Sequence, residues 1–282
     1  MDATPKTIAA WKPDGLTTSA AAVERIALIG LPGSGKTTSC LSFPAPRLWL
    51  DFDHQVPAGE EIIPFWNPTF CDSQAARTFK THPPNQRDAI RNWLKKNAKD
   101  IPPNYTIILD TLSAMTRGFN LQENLENDMV ADESKSGFTF WKNKLRFFEE
   151  TIHYLKGVSC RVVVLMHEAR KTDHAGVDTG KIRPVIDGSY KDQIIGDFPD
   201  VWRMLRNPAI KDEKGQRVVK DGKVACQPGL FWQIAGSDTM NCKTNPSLTP
   251  AVIGRGITMV NADPRTNGGY PEILKLYGTA GN

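Results

Sequence analysis

The sequence predicts an α/β protein with a mostly parallel central sheet and helices on both of its faces. Three observations carry that expectation. From residue 24 onward, short aliphatic runs alternate with helical patterns. The runs are apolar at consecutive positions rather than every second one, as strands covered on both sides require. A glycine-rich stretch, "GLPGSGKTTS", stands between the first such strand and the first helix.

Residues 1–22 are rich in Ala, Thr, Pro and Lys without a sustained period and read as a flexible arm. The apolar island "TIAAW" (7–11) within it fits a tail packed on its own domain or a segment docked on a neighbouring subunit. The domain then runs over 23–282. "RIALIG" (25–30) is a buried strand, "KTTSCLSF" (36–43) begins a helix, and "RLWLDFD" (47–53) is a second strand. "NQRDAIRNWLKKNAKD" (85–100) puts Ile90, Trp93 and Leu94 on one helical face. "YTIILD" (105–110) is a strand, "FWKNKLRFFEETIHYLKG" (140–157) an amphipathic helix, and "CRVVVLMH" (160–167) a further strand. From about residue 204 a β-rich C-terminal extension is expected. In it "GQRVVKDGKVACQ" (215–227) bends at "KDG" into a β-hairpin, and "LFWQIAG" (230–236) is a strand.

The bulk composition excludes several classes. The five cysteines, Cys40, Cys71, Cys160, Cys226 and Cys242, are odd in number and lack a CxxC, which argues against a disulfide framework or a zinc site. A reducing, cytosolic setting is expected. No stretch of 18 apolar residues occurs, so no membrane partner is expected. A net charge of +4 tolerates a polyanion without demanding one.

Residues Gly30 to Thr37 satisfy G-x-x-x-x-G-K-[ST] in full. Gly30, Gly33 and Gly35, with Pro32 and Ser34 between them, let backbone N–H groups converge on phosphate oxygens. Lys36 is expected to reach the β- and γ-phosphates of ATP. The Thr37 hydroxyl is expected to ligate Mg²⁺, with Thr38 completing the cradle. A second metal-site residue should end a buried strand, and Asp110 of "TIILDT" does so. Hydrolysis also needs a group that orients water. Asp51 and Asp53 follow the second strand. Asp53 lies further toward the C-terminal edge, where ligands collect, and is expected to serve as the base, with Asp51 structural and His54 a loop residue.

Taken together, these motifs resemble the RecA superfamily, most closely the short RecA-core ATPases encoded by bacteriophages, some of which are single-strand annealing recombinases. "GLPGSGKTT", "LDFDH", "TIILDTLSAM" and "VVVLMHEARK" carry the likeness over residues 24–245. The resemblance implies a RecA-like P-loop NTPase. It places Asp53 where the family has a water-polarising acid, one methylene shorter here than the usual Glu. It makes His167, in place of Gln or Asn, the γ-phosphate sensor that signals to a DNA-binding loop. It also implies self-association into a filament or ring, and a single-strand-binding protein as a partner. "QENLENDMVADE" (122–133), at the place of a first DNA loop, is acidic and ill suited to touching phosphates. "MNCKTN" (240–245) is similar to the Lys-x-Arg that reaches a neighbour's nucleotide, with Lys243 at the first basic position and Asn245 replacing the Arg.

The segment 168–191, directly after His167, lacks an apolar stripe and is expected to be a mobile loop. Its Arg170, Lys171, Lys181, Arg183 and Lys191 are enough to track single-stranded DNA, although a solvated surface loop would look the same. Tyr190 is placed either to stack on a base or to pack locally. The stretch 206–223 carries six Lys/Arg against three Asp/Glu and is a second basic candidate. The leading function is an ATPase that couples nucleotide state to single-stranded-DNA binding in recombination or annealing. A helicase-like or packaging motor, a small-molecule phosphotransferase and a nucleotide switch are the alternatives. Asp53 weighs against the phosphotransferase, because a water-activating acid has no use in transfer to another acceptor.

Overall fold

In a computed structural model, the residues described are 23–65, 86–128, 133–173, 175–186, 190–210, 212, 216–235, 242–243 and 259–280. Strand β1 (Arg25–Gly30) leads through the phosphate loop into a one-turn helix, α1 (Lys36–Cys40). Strands β2 (Arg47–Asp51) and β3 (Glu61–Pro64) follow, then helix α2 (Gln86–Asn97) and β4 (Thr106–Asp110). Two long helices, α3 (Leu112–Asp128) and α4 (Glu133–Gly157), precede β5 (Arg161–Thr172) and β6 (Asp178–Pro184). A short helix α5 (Tyr190–Gln193) leads to β7 (Asp200–Arg206), the ribbon β8 (Val219–Lys220) and β9 (Lys223–Val224), then β10 (Leu230–Gln233), β11 (Met259–Asn261) and helix α6 (Tyr270–Ala280).

The described strands of the main sheet run in the order β11-β10-β7-β1-β5-β4-β2-β3, with β6 joined to the far end of β5. Pairing is parallel from β7 through β3 and antiparallel for β10, β11 and β6. The expected α/β class holds. The C-terminal β-structure differs in one respect: β10 and β11 extend the main sheet, and only β8–β9 forms a separate hairpin, turning at Asp221-Gly222 with both φ positive.

Consecutive apolar residues in the strands serve the two faces alternately. Ala27, Ile29, Val162, Val164 and Met166 pack beneath Ile90 and Leu94 of α2, Met115 and Phe119 of α3, and Phe147, Phe148 and Ile152 of α4. Ile26, Leu28, Val163 and Leu165 meet Cys40, Phe43, Trp202, Trp232 and the α6 residues Tyr270 and Ile273 on the other face. The α4 helix is longer than the apolar pattern indicated, starting at Glu133. Its C-terminal end is met by the buried Arg25, whose guanidinium donates to the carbonyls of Lys156, Val158 and Cys160. Strand β7 is not legible in the sequence, where Arg203 and Arg206 break its apolar run. In the fold Arg203 is neutralised by a two-pronged pair with buried Glu168, both N–O distances 2.8 Å.

The mobile loop expected at 168–191 is instead largely a β-hairpin. Strand β5 runs on past His167 to Thr172, and β6 returns antiparallel to it. The tip is organised by Asp173, whose carboxylate accepts the backbone N–H groups of Ala175 and Val177. Pro184 is buried and Ile182 packs against the core, so the hairpin's base has the anchoring that the mixed polar sequence did not announce. The acidic stretch 122–133 is also mostly helical, falling on the end of α3 and the start of α4, with 129–132 outside the described residues. The arm 1–22 with its "TIAAW" island lies outside them as well. Among the described residues, no helix is long and apolar enough to cross a membrane.

Candidate functional site

Sheet register assembles the site. Gly30 at the end of β1 stands opposite His167 of β5, and Asp51 of β2 stands opposite Asp110 of β4. Because β5 lies between β1 and β4, His167 comes between the phosphate loop and the Asp110 strand. All four residues emerge at the C-terminal edge of a parallel sheet, where such folds bind ligands.

The phosphate loop needs its glycines for room as well as for torsion. Gly35 caps α1 with φ +95°, and a Cβ there would come within 2.9 Å of Leu230 Cδ2. At Gly30 a Cβ would sit 2.8 Å from Ser34 Oγ. Pro32 and Gly33 are exposed, and Thr38 is half-buried on α1. Ser34 Oγ is buried inside the loop without a hydrogen-bond partner, a donor in want of an acceptor oxygen.

Lys36 is buried, and its ammonium donates to the carbonyls of Gly30 and Leu31 at 2.9 Å each. Burial pushes its pKa down to about 8 against the pull of Asp110, Asp53 and Glu168. Its Nζ also lies 3.3 Å from His167 Nδ1. An ammonium only donates, so this contact assigns the lone pair to Nδ1 and the proton to Nε2. His167 Nε2 in turn lies 3.5 Å from Asp53 Oδ2. The imidazole thus bridges the phosphate-loop lysine and the candidate water-orienting acid.

Thr37 Oγ1 donates to Asp110 Oδ2 at 2.8 Å. Burial drives the Asp110 carboxyl up to about 7. The Thr37 hydrogen bond and Lys36 oppose that rise, while the charges of Asp53 and Asp51 add to it. Among the described residues no group of three or more His, Cys, Asp or Glu could by itself hold a metal ion. A single hydroxyl and a single carboxylate suit Mg²⁺, which takes its remaining ligands from nucleotide phosphates and water. The loop, the buried Ser34 hydroxyl and the Thr37–Asp110 pair therefore fit Mg·ATP.

Asp53 accepts from Thr111 Oγ1 at 3.1 Å on Oδ2, and Arg117 Nη2 lies 3.5 Å from its Oδ1. Burial pushes this carboxyl up, but His167, Thr111 and Arg117 together outweigh it and hold it below the usual range. Asp51 is buried and engaged by the backbone N–H of His54 at 2.7 Å, and His54 turns the chain with φ +53°. Of the two acids, Asp53 is the one that faces the site's cations.

The remaining candidates divide. Arg170, Lys171, Lys181 and Arg183 lie on the β5–β6 hairpin, whose base is His167 itself. Lys181 and Arg183 share a face with Ala169. Arg170 is on the opposite face, tied to Asp178 at 2.6 Å. The Lys191 side chain lies outside the described residues. Tyr190 does not point to a ligand: it is buried, stacked on Phe148 at 5.6 Å, and donates to Asp197. Lys243 forms a backbone bridge with Val201, which is level with Ala27 and so three residues down the sheet from Gly30. It is not brought to its own chain's phosphate loop.

Four features of the site were missed in the sequence. Arg117 stands on α3, between one and two turns in from its start at Leu112, and reaches Asp53 beyond the end of β2 from there. Arg206 closes β7 and donates to the carbonyl of Gly33 at 3.3 Å. Ser113 accepts the backbone N–H of His167 and donates to the carbonyl of Val185, fastening the start of α3 to both strands of the hairpin base. The Glu168–Arg203 pair joins that same base to β7. The last two link distant segments and leave no local pattern to read.

A family model described as an AAA domain matches residues 23–223. No curated protein matches. Among solved structures, the crystal structure of the RadB recombinase aligns with 78% of this chain and 84% of its own, at a TM-score of 0.35 and 13% identity. The matched family span covers well over half of the chain and contains the phosphate loop, Asp53, Asp110 and His167. On the family match the protein belongs to the AAA domain family, as a P-loop NTPase of α/β fold.

Proposed function

We propose that the protein is a Mg-ATP-dependent ATPase that binds single-stranded DNA and acts in phage-type recombination or annealing, with nucleotide state biasing the β5–β6 hairpin. One observation supports this above the others: His167 touches Lys36 and faces Asp53 through its side chain, while its backbone forms the base of a basic hairpin. Bound Mg·ATP supplies a terminal phosphoryl that passes to water: the water oxygen bonds to phosphorus, the bridging bond breaks with its electron pair passing to ADP, and the proton ends on the released phosphate. Lys36 and the loop N–H groups hold the phosphates, and Thr37 and Asp110 hold the metal. Asp53, kept ionised, is a weak base whose part is to orient the water. Ser113 carries any shift at His167 to both hairpin strands.

Self-association into a filament or ring belongs to this reading, as does a single-strand-binding protein as partner. The test is the ATPase rate with and without single-stranded DNA, on wild type and Asp53→Asn. Stimulation in the wild type is expected. Asp53→Asn should keep Mg·ATP affinity and lose about 10²–10⁴-fold in turnover. A rate indifferent to DNA would return the protein to the phosphotransferase class. Strand displacement without annealing would make it a motor.

A further inference from the structure

Arg117 sits on α3, between one and two turns in from its start at Leu112, and among the described contacts of Asp53 its guanidinium is the cation on the Oδ1 side. The contact is a single one at 3.5 Å, and the arginine side chain is 52% exposed while Asp53 is 13% exposed. A lone, half-exposed pair of this length contributes little and is readily exchanged. A carboxylate that orients water does so at about 2.6–3.2 Å, and the attacking oxygen stands about 3–3.5 Å from the reacting atom. The terminal phosphoryl oxygens therefore fall within one side-chain swing of a guanidinium that already touches the carboxylate. A phosphate carries more charge than Asp53 and can accept two parallel N–H···O bonds from the guanidinium, where Asp53 takes one long contact.

We propose that Arg117 is this chain's own γ-phosphate cation, leaving Asp53 for the terminal phosphate of a bound nucleoside triphosphate and returning to Asp53 with the diphosphate. The inference rests on the nucleotide-site reading above. It gives the acid two states. With Arg117 against it, Asp53 is partly neutralised. With Arg117 on the phosphate, Asp53 is open on its Oδ1 side to a water. The same exchange ties water orientation to the presence of the third phosphate.

The test measures equilibrium binding of a non-hydrolysable ATP analogue and of ADP, each with Mg²⁺, to wild type, Arg117→Ala, Arg117→Lys and Lys36→Ala. Arg117→Ala is expected to bind ADP as wild type does and to lose about tenfold in affinity for the triphosphate analogue. Arg117→Lys should recover part of that loss, because it keeps the charge and lacks the fork. Turnover should fall by about 10²–10³-fold in Arg117→Ala, short of the full effect of arginine fingers elsewhere. Unchanged discrimination between triphosphate and diphosphate in Arg117→Ala overturns the proposal, and so does an equal loss for both ligands. If Lys36→Ala binds both ligands as wild type does, the nucleotide site itself has been misplaced and Arg117 falls with it. If Lys36→Ala loses binding while Arg117→Ala matches wild type, only the Arg117 assignment fails.

Discussion

Asp110 is a buried carboxyl beside two other acids, and its ionisation has a consequence for stability. The unfolded chain gives up this proton near 3.8 and the folded chain near about 7. Between those values the folded state binds more protons than the unfolded one, so stability falls as pH rises through that window. Asp110→Asn removes that penalty. Its thermal midpoint should exceed the wild type's at pH 8, with the gap closing toward pH 4, while Mg²⁺-dependent nucleotide binding is lost. Thermal melts at the two pH values check this. The wild type's affinity for Mg·ATP should rise from pH 6 through about 7 as Asp110 ionises. It should fall above about 8 as Lys36 loses its proton. Titration calorimetry across that range reads both limbs.

At the scale of elements, the β5–β6 hairpin is the part that sequence patterning misread. Strands β1, β2, β4 and the first part of β5, the phosphate loop, Asp110 and Asp53 are legible because each rests on local signals: runs of aliphatic residues, fixed glycine spacing, and an acid at or just beyond a strand's end. The hairpin is not, since its strand character comes from pairing across the turn and from Ile182 and Pro184 packing on a core assembled from distant segments. Arg203 was unreadable for the same reason, its partner Glu168 lying on another strand. As an element the hairpin makes an ionic prediction. If Lys181 and Arg183 meet single-stranded DNA, log affinity falls linearly with log salt at about −0.7 per neutralised phosphate. Lys181→Ala with Arg183→Ala should flatten that slope by up to about 1.4 and leave ATP affinity intact. An unchanged slope would move binding to the basic stretch 206–223.

Whole-molecule behaviour turns on whether a second copy completes the site. Lys243 is half-buried and held by its backbone against β7, away from its own phosphate loop, so any contact it makes with nucleotide is made on a neighbour. In that case turnover per protomer rises with protein concentration, and a mixture of Lys243→Ala and Lys36→Ala proteins recovers activity that neither has alone. Concentration-independent rates without recovery would make Lys243 ordinary surface. Strand β5 runs unbroken through twelve residues from the sheet interior to the hairpin tip. Ordering a flexible loop on DNA would cost about 1–2 kcal/mol for each backbone residue fixed. In this chain folding has met that cost before any polymer arrives. If the hairpin meets single-stranded DNA, that binding should therefore lack the heat-capacity and entropy signature of coupled folding, and the hairpin should meet its ligand as a finished surface.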